Sequence, residues 1–302
     1  MFRYGLVLLL ACFSCPQTFA AEPTANLPPG IRLEEPPAET KSAKIVLIAG
    51  SNYYKAGEHD YMAGCAVLAD LLRQTSGIAP VLALDWPKKP ETLTGAKAVV
   101  FFFDGGDKHG ILKGDRLAEV QKLAAAGVGI VQLHQVADYP KDYAGRAREW
   151  SGGTWEKSSG QRAHWVGEFK NFPDHPIFRG VDPFKIDDGW LYQNRFVEGK
   201  TGVTPLLRTV NPKGSAKEAE DAAIVAWTYE HDVGEGSTAK FARAFTFTGG
   251  HLHASFEVEG YRRFLVNGIL WSAGIAVPAT GAPVKLVATD LSKYLTRPPA
   301  KK

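Results

Sequence analysis

Val128-Gly129-Ile130-Val131-Gln132-Leu133-His134 is the stretch that decides the fold. A short apolar run that starts after a glycine and stops at a histidine reads as a strand buried on both faces of a parallel sheet. Just upstream, Leu117, Val120, Leu123 and Ala124 recur at helical spacing over Asp115 to Ala126, and Gly127 stands where a helix stop is expected. Ahead of that helix, Ala98 to Phe103 is a second unbroken apolar strand. Further out, Ile45 to Ala49 is a third, followed by a loop to Asp60 and by Met62, Cys65, Leu68 and Leu72 on one helix face. Val81 to Leu84 is a shorter strand. Strand–helix–strand repetition predicts an α/β class with a mostly parallel sheet, right-handed crossovers and helices on both faces. Gly189 to Val197, Thr204 to Val210, Ala223 to Tyr229 and Ala242 to Phe247 follow one another through short turns, so antiparallel additions are expected in the second half. Tyr261 to Trp271 is the expected closing helix.

The ends read differently. Arg3, the apolar run Leu6 to Phe13 and the small residues around Ala20 suit a signal peptide over 1–21, and hence a secreted or periplasmic protein. Leu9-Leu10-Ala11-Cys12 offers a lipoprotein alternative, with a short apolar run in front of it. Five prolines make 22–42 an expected extended linker, the domain is placed at 43–277, and 278–302 is expected as a surface tail. No later stretch is apolar enough to span a bilayer. Removal of the leader leaves Cys65 alone, which excludes an internal disulfide and a thiolate zinc site. A net charge of +3 without a basic block argues against nucleic acid. A homo-oligomer is left open.

In an open parallel sheet, ligands bind beyond the carboxyl ends of the strands. The loops there are rich in histidine, of which the chain has eight. His134 stands at the position of the nucleophile in elbow-type α/β enzymes, where an imidazole serves as base or metal ligand. His251 and His253 flank one residue, so in extended chain both rings point the same way and suit a shared ligand. His59 faces the pocket from a helix start, near Asn52, and Asp60 reads as a cap. Asp188 beside Trp190 and Tyr192 suits a sugar ring, with polar contact at the edge and stacking on the face. His109 and His231 read as surface residues, and His175-Pro176 as a structural turn.

Several mechanisms are missing their motifs. There is no G-x-S-x-G elbow, no phosphate-binding loop and no H-E-x-x-H, and Gly127-Val128-Gly129 lacks the third glycine of a dinucleotide fingerprint. Cys65 falls on a buried helix face, which leaves thiol catalysis without a candidate.

An ordered set of segments resembles the ThuA-like (trehalose-utilisation) family. They are Ile45 to Gly50 with Gly57-Glu58-His59-Asp60, then Gly129 to His134, Asp174 to Gly180, Asp187 to Tyr192, Gly249-Gly250-His251 and Asn267 to Gly274. The resemblance implies a class I glutamine amidotransferase-like, flavodoxin-like fold. It also implies a histidine, His134, where amidotransferases carry the nucleophilic cysteine, and a role in carbohydrate metabolism. Asp187-Asp188 departs from the Asp-Glu common in that family.

The resulting expectation is an enzyme acting on a glycoside or an oxidised (keto) sugar. His134 is base or ligand, His251 ligand or acid, and Asp188 the carboxylate partner. Asn52, His59, Trp190, Tyr192 and His253 bind the sugar. A zinc-like divalent ion on His134 and His251 fits converging imidazoles, and a metal-free acid/base pair fits equally. The rival from another class is a non-catalytic module that binds sugar or protein.

Overall fold

The computed structural model describes residues 27–28, 30–39, 41–51, 54–214, 220–233, 240–287 and 290–296. The expected leader 1–21 and Asn52 lie outside the described residues. Eleven strands and five α-helices are present among them: β1 Ala43–Ala49, α1 Tyr61–Leu72, β2 Ile78–Leu84, β3 Ala98–Phe102, α2 Arg116–Ala125, β4 Gly129–Leu133, α3 Lys141–Ser151, β5 Gly153–Thr154, β6 Gln161–Phe169, β7 Phe184–Tyr192, β8 Arg195–Phe196, β9 Val203–Arg208, β10 Ile224–Val233, β11 Lys240–Phe247, α4 Glu259–Ser272 and α5 Leu291–Tyr294.

Seven strands form one sheet in the order β2-β1-β3-β4-β11-β10-β9. The pairs β1–β2, β1–β3, β3–β4 and β4–β11 are parallel. This is the flavodoxin-like order, in which the chain reverses direction of sheet growth between β1 and β3. β11 was expected among the antiparallel additions and is instead the fifth parallel strand. The chain reaches it by a long crossover, which parallel pairing requires. The antiparallel additions are β10 and β9, at the sheet's far edge.

Alternation along the buried strands builds two cores. Ile45, Leu47, Val100, Phe102 and Val131 face α1, α4 and the β6–β7 hairpin. Val46, Ile48, Val99, Phe101 and Ile130 face α2 and α3. Each fully buried aliphatic or aromatic side chain contributes about 1.5–3 kcal/mol. The hairpin β6–β7 stands apart from the main sheet as a two-stranded layer, and its outward residues alternate with Trp165, Phe169, Ile186 and Trp190 pointing inward.

Both flanking segments are docked. Leu27, Ile31 and Leu33, within the expected linker, pack on the first core. Glu34 is buried there. Its carboxylate accepts from the Lys88 and Lys89 amides and the Thr92 hydroxyl, and its own amide donates to Leu82 on edge strand β2. The tail expected at the surface is partly sunk as well. Ala282, Val284 and Leu291 are buried, and the Thr296 amide and hydroxyl both donate to Asp60, at 3.0 and 2.8 Å. Among the described residues no helix is long and apolar enough to cross a membrane.

Candidate functional site

Two loops at the carboxyl edge of the sheet are stitched to each other. After β1, the chain reaches Glu58 and His59; after β11, it reaches Gly250 to His253. The His59 amide donates to the His251 carbonyl at 2.9 Å, and the His253 amide donates to the Gly57 carbonyl at 2.8 Å. Glu58 and Leu252 form an isolated antiparallel bridge between the same loops.

Asp188 fixes the second loop from below. It is fully buried on β7, and its carboxylate accepts from the amides of Gly189, Gly250 and His251 at 2.8 Å each and of Leu252 at 3.2 Å. The Ser255 hydroxyl adds a fifth donor at 3.3 Å. Burial raises the Asp188 carboxyl to about 6 even though these amides pull it down. Gly250 has φ +101°, a region that L side chains rarely adopt. Asp188 therefore positions the loop and does not reach the reacting space, which corrects its expected catalytic role.

The loops and β4 bring His59, His134 and His251 together. One ring nitrogen from each lies within 4.8 Å of the others. His134 Nε2 is 3.1 Å from His59 Nε2, and His59 Nε2 also contacts His251 Nδ1. His59 and His134 both have left-handed backbone, with φ of +51° and +54°. Such a conformation costs a non-glycine residue about 1–3 kcal/mol and gathers at functional sites.

The outer nitrogens have partners of their own, and those partners set the tautomers. His134 Nδ1 is 2.9 Å from the Thr248 carbonyl, which only accepts, so this nitrogen carries the proton. Tyr61 donates its hydroxyl hydrogen to Asp104 Oδ1 at 2.6 Å, so its oxygen is left to accept from His59 Nδ1 at 3.3 Å. Tyr54 donates to the same Asp104 oxygen at 2.9 Å. His251 Nε2 is 3.9 Å from Glu58 Oε2. His134 and His59 thus each turn a lone pair inward, toward Nδ1 of His251. Burial first, then crowding by the neighbouring imidazoles, lowers His59 to about 4 and pushes His134 well below its ordinary value. Burial, followed by His164, lowers His251 to about 4.

The Nε2 lone pairs of His59 and His134, 3.1 Å apart, repel unless a cation or a proton stands between them. The donor set fits a divalent ion of the zinc type. A tetrahedral ion with bonds of about 2.0–2.1 Å holds its ligand atoms roughly 3.4 Å apart, and outer-shell partners that fix each imidazole are the usual company of such ligands. A small open pocket of about 130 Å³ adjoins the cluster, lined also by Gln135, Arg162, Ala163, His164, Gly189, Trp190 and Leu191.

Of the expected site residues, His59, His134 and His251 converge. His253 does not. Leu252 turns the chain, and the buried His253 ring points away, to the Leu291 carbonyl at 3.3 Å. Trp190 and Tyr192 are buried in the first core, with the Trp190 indole donating to the Trp165 carbonyl and Tyr192 receiving Asn211. Neither offers a free ring face to a sugar. Asp188, Trp190 and Tyr192 share the inward face of β7, while Gly189 and Leu191 face the pocket, which the buried Trp190 also borders. His109, expected at the surface, is 1% exposed. His164, Arg162, Tyr54, Tyr61 and Asp104 were missed. For the first two, the period-two pattern Trp165, Gly167, Phe169 was a usable sign of a strand whose other face carries Arg162 and His164.

The chain matches the model of the family ThuA, described as trehalose utilisation, over residues 46–272. No protein of curated function matches it in sequence. Among solved structures, a ThuA-like protein from Bacteroides uniformis is similar at 16% identity and a TM-score of 0.56, covering 83% of this chain and 99% of that one. A ThuA-like protein from Parabacteroides merdae is similar at 17% identity and a TM-score of 0.53, covering 79% of this chain and 92% of that one. The family match spans both stitched loops and all three converging histidines, and the chain belongs to the ThuA family.

Proposed function

We propose that this protein is an exported enzyme that acts on a glycoside or keto-sugar with the help of a divalent, zinc-type ion held by His59, His134 and His251. The observation that carries the reading is the convergence of one ring nitrogen from each of three histidines, with the tautomers of His134 and His59 set by Thr248 and Tyr61. The family's description as trehalose utilisation supports the substrate class, and the charged, apolar start of the chain supports export. When bound, such an ion supplies Lewis-acid polarisation of a sugar oxygen.

The remaining steps fall to the chain's own residues. Asp104, through Tyr61, keeps the His59 proton on Nδ1. Thr248 does the same for His134. His164, whose ring lies 4.4 Å from that of His251, and Gln135 line the pocket where the sugar is oriented. The buried thiol of Cys65 is pushed far above the thiolate range and takes no part.

Metal content and turnover of the purified full chain test this. About one zinc per chain is expected, with loss in His59→Ala, His134→Ala and His251→Ala together with turnover on a panel of glycosides and keto-glycosides. A wild type that takes up no zinc at micromolar concentration, with sugar binding unchanged in all three variants, overturns it in favour of a binding module.

A further inference from the structure

We infer that Arg162 selects a ligand that carries a carboxylate, so that the sugar entering this pocket is a sugar acid whose anionic group pairs with the Arg162 guanidinium at the pocket mouth. The inference rests on the reading of the pocket as a metal-assisted sugar site.

Register places the residue. Arg162 pairs with Leu191 and His164 with Gly189 across the β6–β7 hairpin, and all four line the pocket. The guanidinium is held in place by stacking, its central carbon 4.6 Å from the centre of the Trp155 ring. Trp155 is itself buried and tied to the Gln161 carbonyl at 3.0 Å. A stacked guanidinium keeps its edge donors directed outward, in a planar fork that matches a carboxylate. Its contact with Asp138 is single and long, from Nη2 to Oδ2 at 3.4 Å. Charge-assisted pairs close to about 2.7–2.9 Å, so the fork of five donors is largely unspent. Half of the side chain, 52%, is exposed.

Charge balance points the same way. Among the described residues the pocket lining holds imidazoles, Gln135, Arg162 and apolar groups, and no carboxylate. The acids nearby stand outside the lining: Asp104 meets two tyrosine hydroxyls, Glu58 meets Lys55, and Asp138 meets Arg162 at 3.4 Å. Neutral imidazoles leave the charge of a divalent ion whole, and Arg162 adds another positive charge. The lining itself is therefore positive, which favours an anionic group on the ligand. The pocket's volume equals roughly four waters, enough for a carboxylate and the carbon beside it, with the rest of the ring outside.

Calorimetric titration of the zinc-loaded full chain with D-glucuronate, D-gluconate, glucose 6-phosphate and D-glucose tests the inference. Both carboxylates are expected to bind at least tenfold more tightly than glucose. Arg162→Gln is expected to abolish that ratio while keeping its zinc, Arg162→Lys to restore part of it, and Asp138→Asn to leave it in place. Equal binding of glucose and glucuronate to the wild type overturns the inference, as does a preference that survives Arg162→Gln or is lost equally in Asp138→Asn. Tighter binding of glucose 6-phosphate than of either sugar acid overturns the choice of carboxylate. Zinc content, read on the same samples, reports separately on the metal-assisted reading.

Discussion

The loop after β3 carries His109, and β4 ends at His134. Both rings are buried, at 1% and 3% exposure, and both reach a backbone carbonyl. They differ in what the second nitrogen meets. His109 Nε2 lies 3.0 Å from the Val136 carbonyl and its Nδ1 accepts from the Ile111 amide at 3.3 Å, so the chain occupies both. Its φ is an ordinary −57°. His134 gives one nitrogen to Thr248 and turns the other toward two more histidines, on a strained backbone. Burial alone therefore does not mark a functional histidine. A nitrogen left facing other ligand atoms does.

The sharpest break of this contrast is at Asp188, which supports the His251 side of the cluster. Asp188→Ala strands two buried amides, Gly189 and Gly250, and two half-buried ones, His251 and Leu252, the buried ones costing about 1–3 kcal/mol each. The expected loss is about 4 kcal/mol or more in denaturant unfolding, with zinc binding lost as the loop comes free. Retained zinc affinity would show that the loop holds its shape without the carboxylate.

Next comes pH. Burial lowers His109 to about 4, against the pull of the Val136 carbonyl. The unfolded chain takes up that proton near 6.5 and the folded chain does not, so stability falls as pH drops from about 6.5 to about 4. At 1.36 kcal/mol per unit this amounts to about 3 kcal/mol. Wild type minus His109→Asn, followed by urea unfolding across that range, isolates it. A difference that is flat with pH refutes the assignment.

The paired exchange His109→Ala against His134→Ala follows. The first is expected to cost about 2–3 kcal/mol with zinc stoichiometry unchanged. The second is expected to lose zinc, while its cost in chelator is similar, about 2–3 kcal/mol, so that zinc content and not stability separates the two. The smallest effect is expected at Gly189, where an added Cβ would sit 3.0 Å from His251 Cβ and Cγ and 3.1 Å from His164. Gly189→Ala should weaken zinc binding about tenfold through displacement of His251, with stability nearly untouched.

The same contrast explains what could be read from sequence. β1, β3 and β4 were legible because strands buried on both faces are unbroken apolar runs. Their ends pointed to His59 and His134. β6 was not read as a strand, because Arg162, His164 and Glu168 on its outer face hid the alternation of Trp165, Gly167 and Phe169. α3 escaped because its buried stripe is only Ala144, Ala147, Trp150 and Ser151 in a polar helix. Trp190 and Tyr192 were assigned to the site because they neighbour Asp188. Strand parity sends all three inward, and sequence does not say which face meets the ligand. Tyr61 is only two residues from His59, but Asp104, which takes its hydroxyl hydrogen, is 43 residues from Tyr61 and Thr248 is 114 from His134, contacts that no local pattern encodes.

Thr296 meets Asp60 across 236 residues of chain, and the Leu291 carbonyl meets His253. During synthesis, β1 to β4 and their helices can pair long before that segment exists. The two stitched loops receive their last fastening only when residues 290–296 arrive. The order of manufacture thus places the final tightening of the histidine cluster at the end of folding, and a nascent chain short of Leu291 carries the three imidazoles on loops that are stitched to each other but lack this outer clasp.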